Sequence, residues 1–323
     1  MTTKTKYVKD LKEGEYVKDL FLVGNKALLS SSNGKPYMSL SLRDRTGQLE
    51  CRVWDRAEEI SRRFERDDVV EASGMAIVYQ GRLQMKVNDI RKADFEKADL
   101  GEFLPVTRYG IEPLWTRLQA LVAGVSDPDL KRLLAAVFPD PPESSTARRF
   151  RQAPGGKSMH HDYIGGLMEH TVSAAEICAF LGGHYEGLDR DMLVAGALLH
   201  DIGKVEELSY AGAFDYTDEG RLLGHLYMGA EWVSRQCDAL PGFPDGKKTL
   251  LKHMILSHHG ELEYGSPKRP KTLEAILLHF VENMDAKAAA FGDAMEELRE
   301  GARWTDYQRM FERYLFSGKF EQA

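Results

Sequence analysis

Three cysteines in 323 residues, Cys51, Cys178 and Cys237, are too few and too scattered for a disulfide framework or a thiolate metal site. They read as reduced packing residues. No apolar run approaches the ~18 residues that a membrane helix needs. The opening stretch, MTTKTKYVKDLKEG, has no apolar core of the secretory kind. A cytoplasmic protein without membrane contact is the expectation. Basic charge is not in excess either: the net charge of −7 argues against a general nucleic-acid coat protein. The imbalance is regional, with +2 over residues 1–100 and −9 over the remainder. An acidic region is either solvated helix surface or a source of cation ligands. Internal repeats and low-complexity tracts are missing. So is histidine from the first 159 residues; all ten lie beyond them.

What is present falls into two regions. Residues 15–95 have the grammar of strands. Tyr37-Met-Ser-Leu-Ser-Leu-Arg alternates, with Met38, Leu40 and Leu42 on one face, and Leu49-Glu-Cys-Arg-Val-Trp54 alternates after the turn Asp44-Arg-Thr-Gly47. Ser31-Ser-Asn-Gly34 marks an earlier turn. Val69–Tyr79 and Arg82–Asn88 are two further strands around Gln80-Gly81, and a helix near Ala57–Phe64 interrupts the series. About five strands and one helix in under 100 residues suggest a small barrel. With Leu49, Cys51 and Val53 inward, Arg52 and Trp54 face out, as does Tyr37, and Arg82, Gln84 and Lys86 form an outward polar row. Rings interleaved with basic groups suit single-stranded nucleic acid. Plugging of a barrel end or a domain interface by Tyr37 and Trp54 is the other reading, and strand phase does not separate the two.

Residues 96–112 read as a connector. From Glu112 onward the spacing is helical: Leu114, Leu118, Leu121 and Val122, then about Asp129–Phe138, stopped by Pro139, Pro141 and Pro142. Further helices are expected near 164–182, 189–201, 222–239, 247–258 and 272–298, with a frayed helical tail over about 303–323.

The histidines carry the chemistry. His170 sits on an expected helix. His200 and Asp201 end the apolar run Leu193–Leu199, an odd choice for packing because a buried carboxylate needs a partner or a metal. His225 lies in Leu-Leu-Gly-His, His258 and His259 end another apolar helix, and Asp285 lies on the last one. One histidine on an apolar helix is usually a hydrogen-bonded core residue; five such positions are hard to explain by packing. Imidazole and carboxylate together suit Zn, Mn, Fe or Co better than Ca. His253 is a competing ligand, but it is out of phase with His258 on a regular helix.

The series His170 … His200-Asp201 … Asp285 resembles the metal-binding signature of the HD superfamily, and adding His225 with His258-His259 resembles its bimetallic phosphodiesterases. His160-His-Asp-Tyr-Ile-Gly-Gly-Leu-Met-Glu-His-Thr171, Leu199-His-Asp-Ile-Gly-Lys-Val205, Ser257-His-His-Gly260 and Met284-Asp-Ala-Lys287 are similar to the YhaM-type exoribonucleases, as are Asn33-Gly-Lys-Pro-Tyr37 and Asp44-Arg-Thr-Gly47 to their N-terminal domain. The resemblance covers about residues 10–300. It implies a multidomain chain: an all-β OB-fold nucleic-acid-binding barrel over 1–98, a connector with a helical segment over 99–147 and an all-α HD domain over 148–300; the helical tail over 301–323 is expected from the residues alone. It implies 3′-to-5′ degradation of single-stranded RNA, with some action on single-stranded DNA, supported by a divalent ion such as Mn (Co, Fe or Mg being alternatives). His170, His200, Asp201 and Asp285 would hold a first ion, and Asp201 would bridge to a second held by His225, His258 and His259. One ion alone is the other arrangement. Tyr37, Arg52, Trp54, Arg82 and Lys86 would bind the strand.

Lys204, four residues after His200, is placed to meet a phosphate oxygen as charge builds; a surface lysine is the bland alternative. Glu169, His160 and His161 are candidates for proton or hydrogen-bonding roles, or for a solvated helix residue and loop ordering. Arg148-Arg-Phe-Arg151 with Gly155-Gly-Lys157 reads as a basic loop that guides RNA or is merely exposed, and Lys268-Arg-Pro-Lys271 as a basic turn of the same ambiguity. Two other function classes remain: a nucleotide or cyclic-dinucleotide phosphohydrolase, and a non-catalytic nucleic-acid-binding protein. Nothing in the sequence fixes a homo-oligomer, though the helical C-terminus could mediate one.

Overall fold

The structure is a computed structural model, and it describes residues 4–31, 33–93, 101–156, 163–209, 214–296, 298 and 301–318. The chain divides into a barrel unit, residues 1–106 with 209–214, and a helical unit, residues 107–208 with 215–323.

The barrel has five strands: β1 (Tyr16–Ser30), β2 (Pro36–Asp44), β3 (Gly47–Val53), β4 (Val69–Tyr79) and β5 (Arg82–Lys92). They close in the order β1-β2-β3-β5-β4, every neighbouring pair antiparallel except β3 with β5. This is the OB-fold arrangement that the alternation predicts. The inward set is the expected one: Met38, Leu40, Leu42, Leu49, Cys51 and Val53 are buried with Phe21, Val70, Met85 and Ile90. Each such side chain, fully buried, stabilises by about 1.5–3 kcal/mol relative to exposure. Helix α1 (Ala57–Ser61) follows β3 and packs Ala57 and Ile60 into that core. Closure leaves the barrel without a free sheet edge.

The helical unit begins with α2 (Ile111–Ala123), α3 (Pro128–Val137) and α4 (Ser145–Gln152). Leu114, Trp115, Leu118, Leu130, Leu133 and Leu134 are all buried, and α2 and α3 belong to the helical unit. Arg148–Arg151, read as a loop, lies on α4; Ser144 caps it by accepting from the Ala147 N–H at 3.1 Å. Six polar residues in eight leave only Ala147 and Phe150 as apolar markers of that helix, too few to show its period.

The centre is α5 (Gly166–Leu181) against α6 (Arg190–Leu199). Every residue of α6 from Met192 to Leu199 is buried, which is the pattern of a helix surrounded by others. Asp189 caps it, accepting from the Met192 N–H at 2.9 Å. Around this pair lie α7 (Lys204–Glu207), α8 (Asp218–Asp238), α9 (Asp245–Ser257) and α10 (Leu273–Glu296). No helix of the described residues is long and apolar enough to cross a membrane.

The expected helical tail is a correction. Residues 301–318 form turns with isolated antiparallel bridges, Trp304 with Phe316 and Gln308 with Arg313. Thr305 and Leu315 are buried between them, and the Thr305 N–H donates to the Leu315 carbonyl at 3.0 Å. Aromatic and β-branched residues favour such extended pairing over a helix.

Candidate metal centre and nucleic-acid face

Three helix ends and one helix interior deliver the five histidines. His170 is on α5, one turn from its start; His200 and Asp201 follow α6; His225 is on α8; His258 and His259 follow α9. In all five rings the Nδ1 atom is engaged. His200 donates to the Ala197 carbonyl (2.7 Å), His258 to the Ile255 carbonyl (2.8 Å) and His259 to the Tyr264 carbonyl (3.1 Å). His170 donates to Asp285 Oδ2 (2.7 Å) and His225 to Glu207 Oε1 (3.1 Å). A ring held by its Nδ1–H keeps a lone pair on Nε2.

Four of those Nε2 atoms, of His170, His200, His225 and His258, converge on Asp201. His170 and His200 present theirs 3.1 Å apart, at 3.8 and 3.5 Å from Asp201 Oδ2. The Nε2 atoms of His225 and His258 both lie 3.5 Å from Asp201 Oδ1. Asp201 Oδ1, His225 Nε2 and His258 Nε2 are buried without a hydrogen-bond partner. Leaving such polar atoms unsatisfied costs ~1–3 kcal/mol each, so their mutual orientation needs an explanation. Donor atoms sharing one cation at ~2.1 Å stand roughly 3.0–3.5 Å from one another, close to these separations. Two donor groups result, His170 with His200 and Asp201, and His225 with His258 and His259, each gathered within 4.8 Å. The residues fit a divalent cation, and Asp201 turns one oxygen to each group.

The electrostatics agree. Burial pushes His200 down to about 4 and His258 well below the usual imidazole range, and burial with neighbouring His225 lowers His259, so their lone pairs are available at neutral pH. Burial alone would lower His170, but its bond to Asp285 and the charge of Asp201 raise it. Burial would raise Asp201, yet Lys204 and the surrounding imidazoles hold its carboxyl well below the usual carboxylate range. Lys204 Nζ donates to Asp201 Oδ2 at 2.6 Å, and that charge outweighs burial and raises the lysine.

Several partners escaped sequence reasoning. Glu207 accepts from both the backbone N–H (3.0 Å) and the ring Nδ1–H of His225. Ser173, one turn after His170, donates to Asp285 Oδ1. Glu282, one turn before Asp285, is raised by burial beside His170, Asp201 and Lys204. Helical spacing of three residues was an available signal for Ser173 and Glu282; Glu207 had none. His225 depends on backbone geometry as well. Gly224 breaks α8 with φ +74°, and Gly203 lets the chain after Asp201 lie against α8, since a Cβ there would stand 2.2 Å from the His225 carbonyl oxygen.

Other expectations resolve differently. His253 Nε2 accepts from the Lys271 N–H at 2.9 Å and belongs to neither donor group. Glu169 is buried and accepts from Thr107 Oγ1 at 2.5 Å, which overturns its reading as a solvated helix residue. Arg149 pairs with Glu206 and Arg151 with Glu112, so α4 directs these two guanidinium groups to carboxylates. Arg269 pairs with Glu261. His160, His161 and Lys157 lie outside the described residues.

On the barrel, Tyr37 and Trp54 stack on each other with ring centroids 4.7 Å apart and planes 21° apart, and Trp54 keeps 47% of its surface exposed. Arg52 is beside Lys86 across the parallel β3–β5 pair, and Arg82 and Lys86 are exposed. Arg52 is half-buried, donating to Ser39 Oγ at 2.8 Å.

An HD fold with two His/Asp donor groups, joined in one chain to an OB-fold barrel, defines the class: an HD-domain protein with a nucleic-acid-binding module. Comparison agrees, the HD domain family matching residues 167–287 and the OB-fold nucleic acid binding domain residues 24–93. Two relatives named 3′-5′ exoribonuclease YhaM, from Geobacillus sp. (strain WCH70) and Bacillus velezensis, are each 33% identical. They match over 89% of this chain and over 87% and 90% of their own lengths. The chain belongs to the YhaM exoribonuclease family. Among solved structures, the second OB-fold domain of replication protein A from Methanococcus maripaludis is 20% identical, covering 29% of this chain and 98% of that one with a TM-score of 0.24.

Proposed function

We propose that this chain is a metal-dependent 3′-to-5′ exoribonuclease that releases nucleoside 5′-monophosphates from single-stranded RNA and, secondarily, acts on single-stranded DNA. The observation that carries the reading is the convergence of imidazole Nε2 atoms on the two oxygens of Asp201. Polarity and RNA as substrate follow from the named activity of its relatives.

His170, His200, Asp201 and Asp285 would hold one divalent ion, Asp285 also accepting from His170 Nδ1; His225, His258 and His259 would hold a second. Mixed imidazole and carboxylate donors support manganese, or cobalt, iron or magnesium in its place. A bound divalent cation activates water and neutralises phosphate charge. Asp201 stays ionised between the two groups. Lys204 holds that charge and, with 17% of its side chain exposed, remains within reach of an incoming phosphate oxygen. Water attacks the terminal phosphorus in line, and the 3′-oxygen of the preceding nucleotide leaves and takes up a proton. Tyr37 and Trp54 offer stacking surface to the strand, and Arg52, Arg82 and Lys86 meet its phosphates.

Buried, unpaired Cys51, Cys178 and Cys237 support a reducing, cytoplasmic setting. A homo-oligomer is supported by α10, where Leu273, Ile276, Phe280, Met284 and Phe291 form an exposed stripe.

The test is 5′-labelled single-stranded RNA incubated with the purified chain. The label should shorten stepwise from the 3′ end with mononucleotide release, stop with EDTA and resume with manganese. Turnover of free nucleotides alone would make this a small-molecule phosphohydrolase, and binding without turnover a non-catalytic RNA-binding protein.

A further inference from the structure

The helical unit contains a cavity of about 300 Å³ lined by Arg108, Tyr109, Glu169, Ser173, Asp285 and the alanines Ala288 and Ala289, with Arg117 beside them. It shares one carboxylate with the cation centre: Asp285 accepts from Ser173 on Oδ1 and from His170 on Oδ2. Whatever enters the cavity is therefore one side chain away from the donor groups.

Its walls differ in chemistry. On one side the Arg108 guanidinium lies 5.2 Å from the centre of the Tyr109 ring, and both are open to solvent, with 72% of the arginine side chain and 48% of the tyrosine exposed. Arg117 backs this wall and is fixed by a two-pronged bond to Glu176, at 2.8 and 2.6 Å. The same cavity is lined by Glu169, Ser173 and Asp285, which offer oxygen acceptors. On α10, Ala288 and Ala289 contribute no bulk.

We propose that this cavity seats the 3′-terminal nucleotide of the substrate strand. The inference rests on the exonuclease reading above. The base stacks on the Arg108–Tyr109 platform, as unpaired bases do on rings and guanidinium planes. The terminal ribose turns its hydroxyls to the carboxylate wall; a carboxylate accepts several hydrogen bonds at once, so existing contacts do not prevent this. The 5′-phosphate of that nucleotide, which is the scissile group, then points toward Asp285 and the centre. Only the last nucleotide of a strand has a free 3′-hydroxyl, so this wall selects an end over an internal position. The volume is at the lower limit of ligand pockets, roughly 300–1,000 Å³, and suits one nucleotide rather than two. Cleavage one unit at a time follows from that size.

The experiment measures binding of adenosine 5′-monophosphate to the full, manganese-loaded chain by calorimetry, beside inorganic phosphate, together with KM for single-stranded RNA. Wild type should bind the nucleotide at least tenfold more tightly than phosphate. Tyr109→Ala should weaken nucleotide binding by about tenfold, the scale of one lost stacking contact, and raise KM for RNA by a similar factor. Ala288→Trp, at an exposed position on α10, should do the same by filling the cavity, which separates occupancy from any folding effect at Tyr109. Equal affinity for nucleotide and phosphate, or wild-type nucleotide binding in both variants, overturns the proposal. The exonuclease reading fails by a different sign: wild type that releases no mononucleotide from RNA.

Discussion

Removing Glu207 should loosen one cation group and spare the other. Its Oε1 accepts two bonds from His225, at 3.0 Å from the backbone N–H and 3.1 Å from the ring. In Glu207→Ala the ring loses the contact that fixes both its rotation and its tautomer. Losing a carboxylate that orients a metal-ligating histidine typically costs 10–100-fold in affinity, or about 1.4–2.7 kcal/mol. Because His225 belongs to the group with His258 and His259, the weakening should be confined to one of two phases in a manganese titration. Folding stability should fall by ~1–3 kcal/mol from the lost bonds to a charged acceptor. The Glu207 backbone carbonyl still accepts from the Thr217 N–H at 2.9 Å, which keeps the α7–α8 connection in place. Glu207→Gln retains an acceptor oxygen and should lose less than tenfold. Calorimetric titration with manganese, alongside thermal unfolding, reads both quantities. Wild-type affinity in both phases, or equal weakening of both, would refute the assignment of His225 and its orienting carboxylate.

Three further outcomes are expected. Asp201→Ala should abolish RNA hydrolysis while the barrel still binds the strand, measured by turnover and by filter binding; normal turnover would remove Asp201 from the chemistry. Trp54→Ala should weaken RNA binding by ~1–3 kcal/mol, the worth of one stacked base, yet leave hydrolysis of bis(p-nitrophenyl) phosphate intact, and equal loss on both substrates would make Trp54 a folding residue. In EDTA, stability should decline as pH drops from about 6.5 to about 4. The unfolded chain takes up a proton at His200 near 6.5, whereas burial keeps the folded ring neutral down to about 4. The unfolded state thus binds more protons in that window, and stability rises with pH by roughly 3 kcal/mol from this group, with His170 acting in the opposite direction. His200→Gln should flatten the dependence of melting temperature on pH, and an unchanged slope would contradict it.

The barrel was legible because alternation is local: Met38, Leu40 and Leu42 declare their face within seven residues, and the pleat does the rest. His200 and Asp201 were legible because polar residues at the end of an apolar run are costly unless used. The partners of those residues were less so. Glu207 meets His225 across 18 residues and Thr107 meets Glu169 across 62, and no spacing rule links them. The turn of the chain at Gly224 was hidden for a related reason, since glycine in Leu-Leu-Gly-His is compatible with an unbroken helix. At the C-terminus the departure is one of period: Trp304, Thr305, Tyr307, Tyr314 and Phe316 favour extended pairing over the helix expected there.

The most direct test is to locate ions in crystals of the full chain grown with manganese, using anomalous scattering at the manganese edge. Peaks should fall on either side of Asp201, one within bonding distance of His170 and His200, the other of His225, His258 and His259. Strong binding in solution with anomalous density elsewhere in the molecule would contradict it.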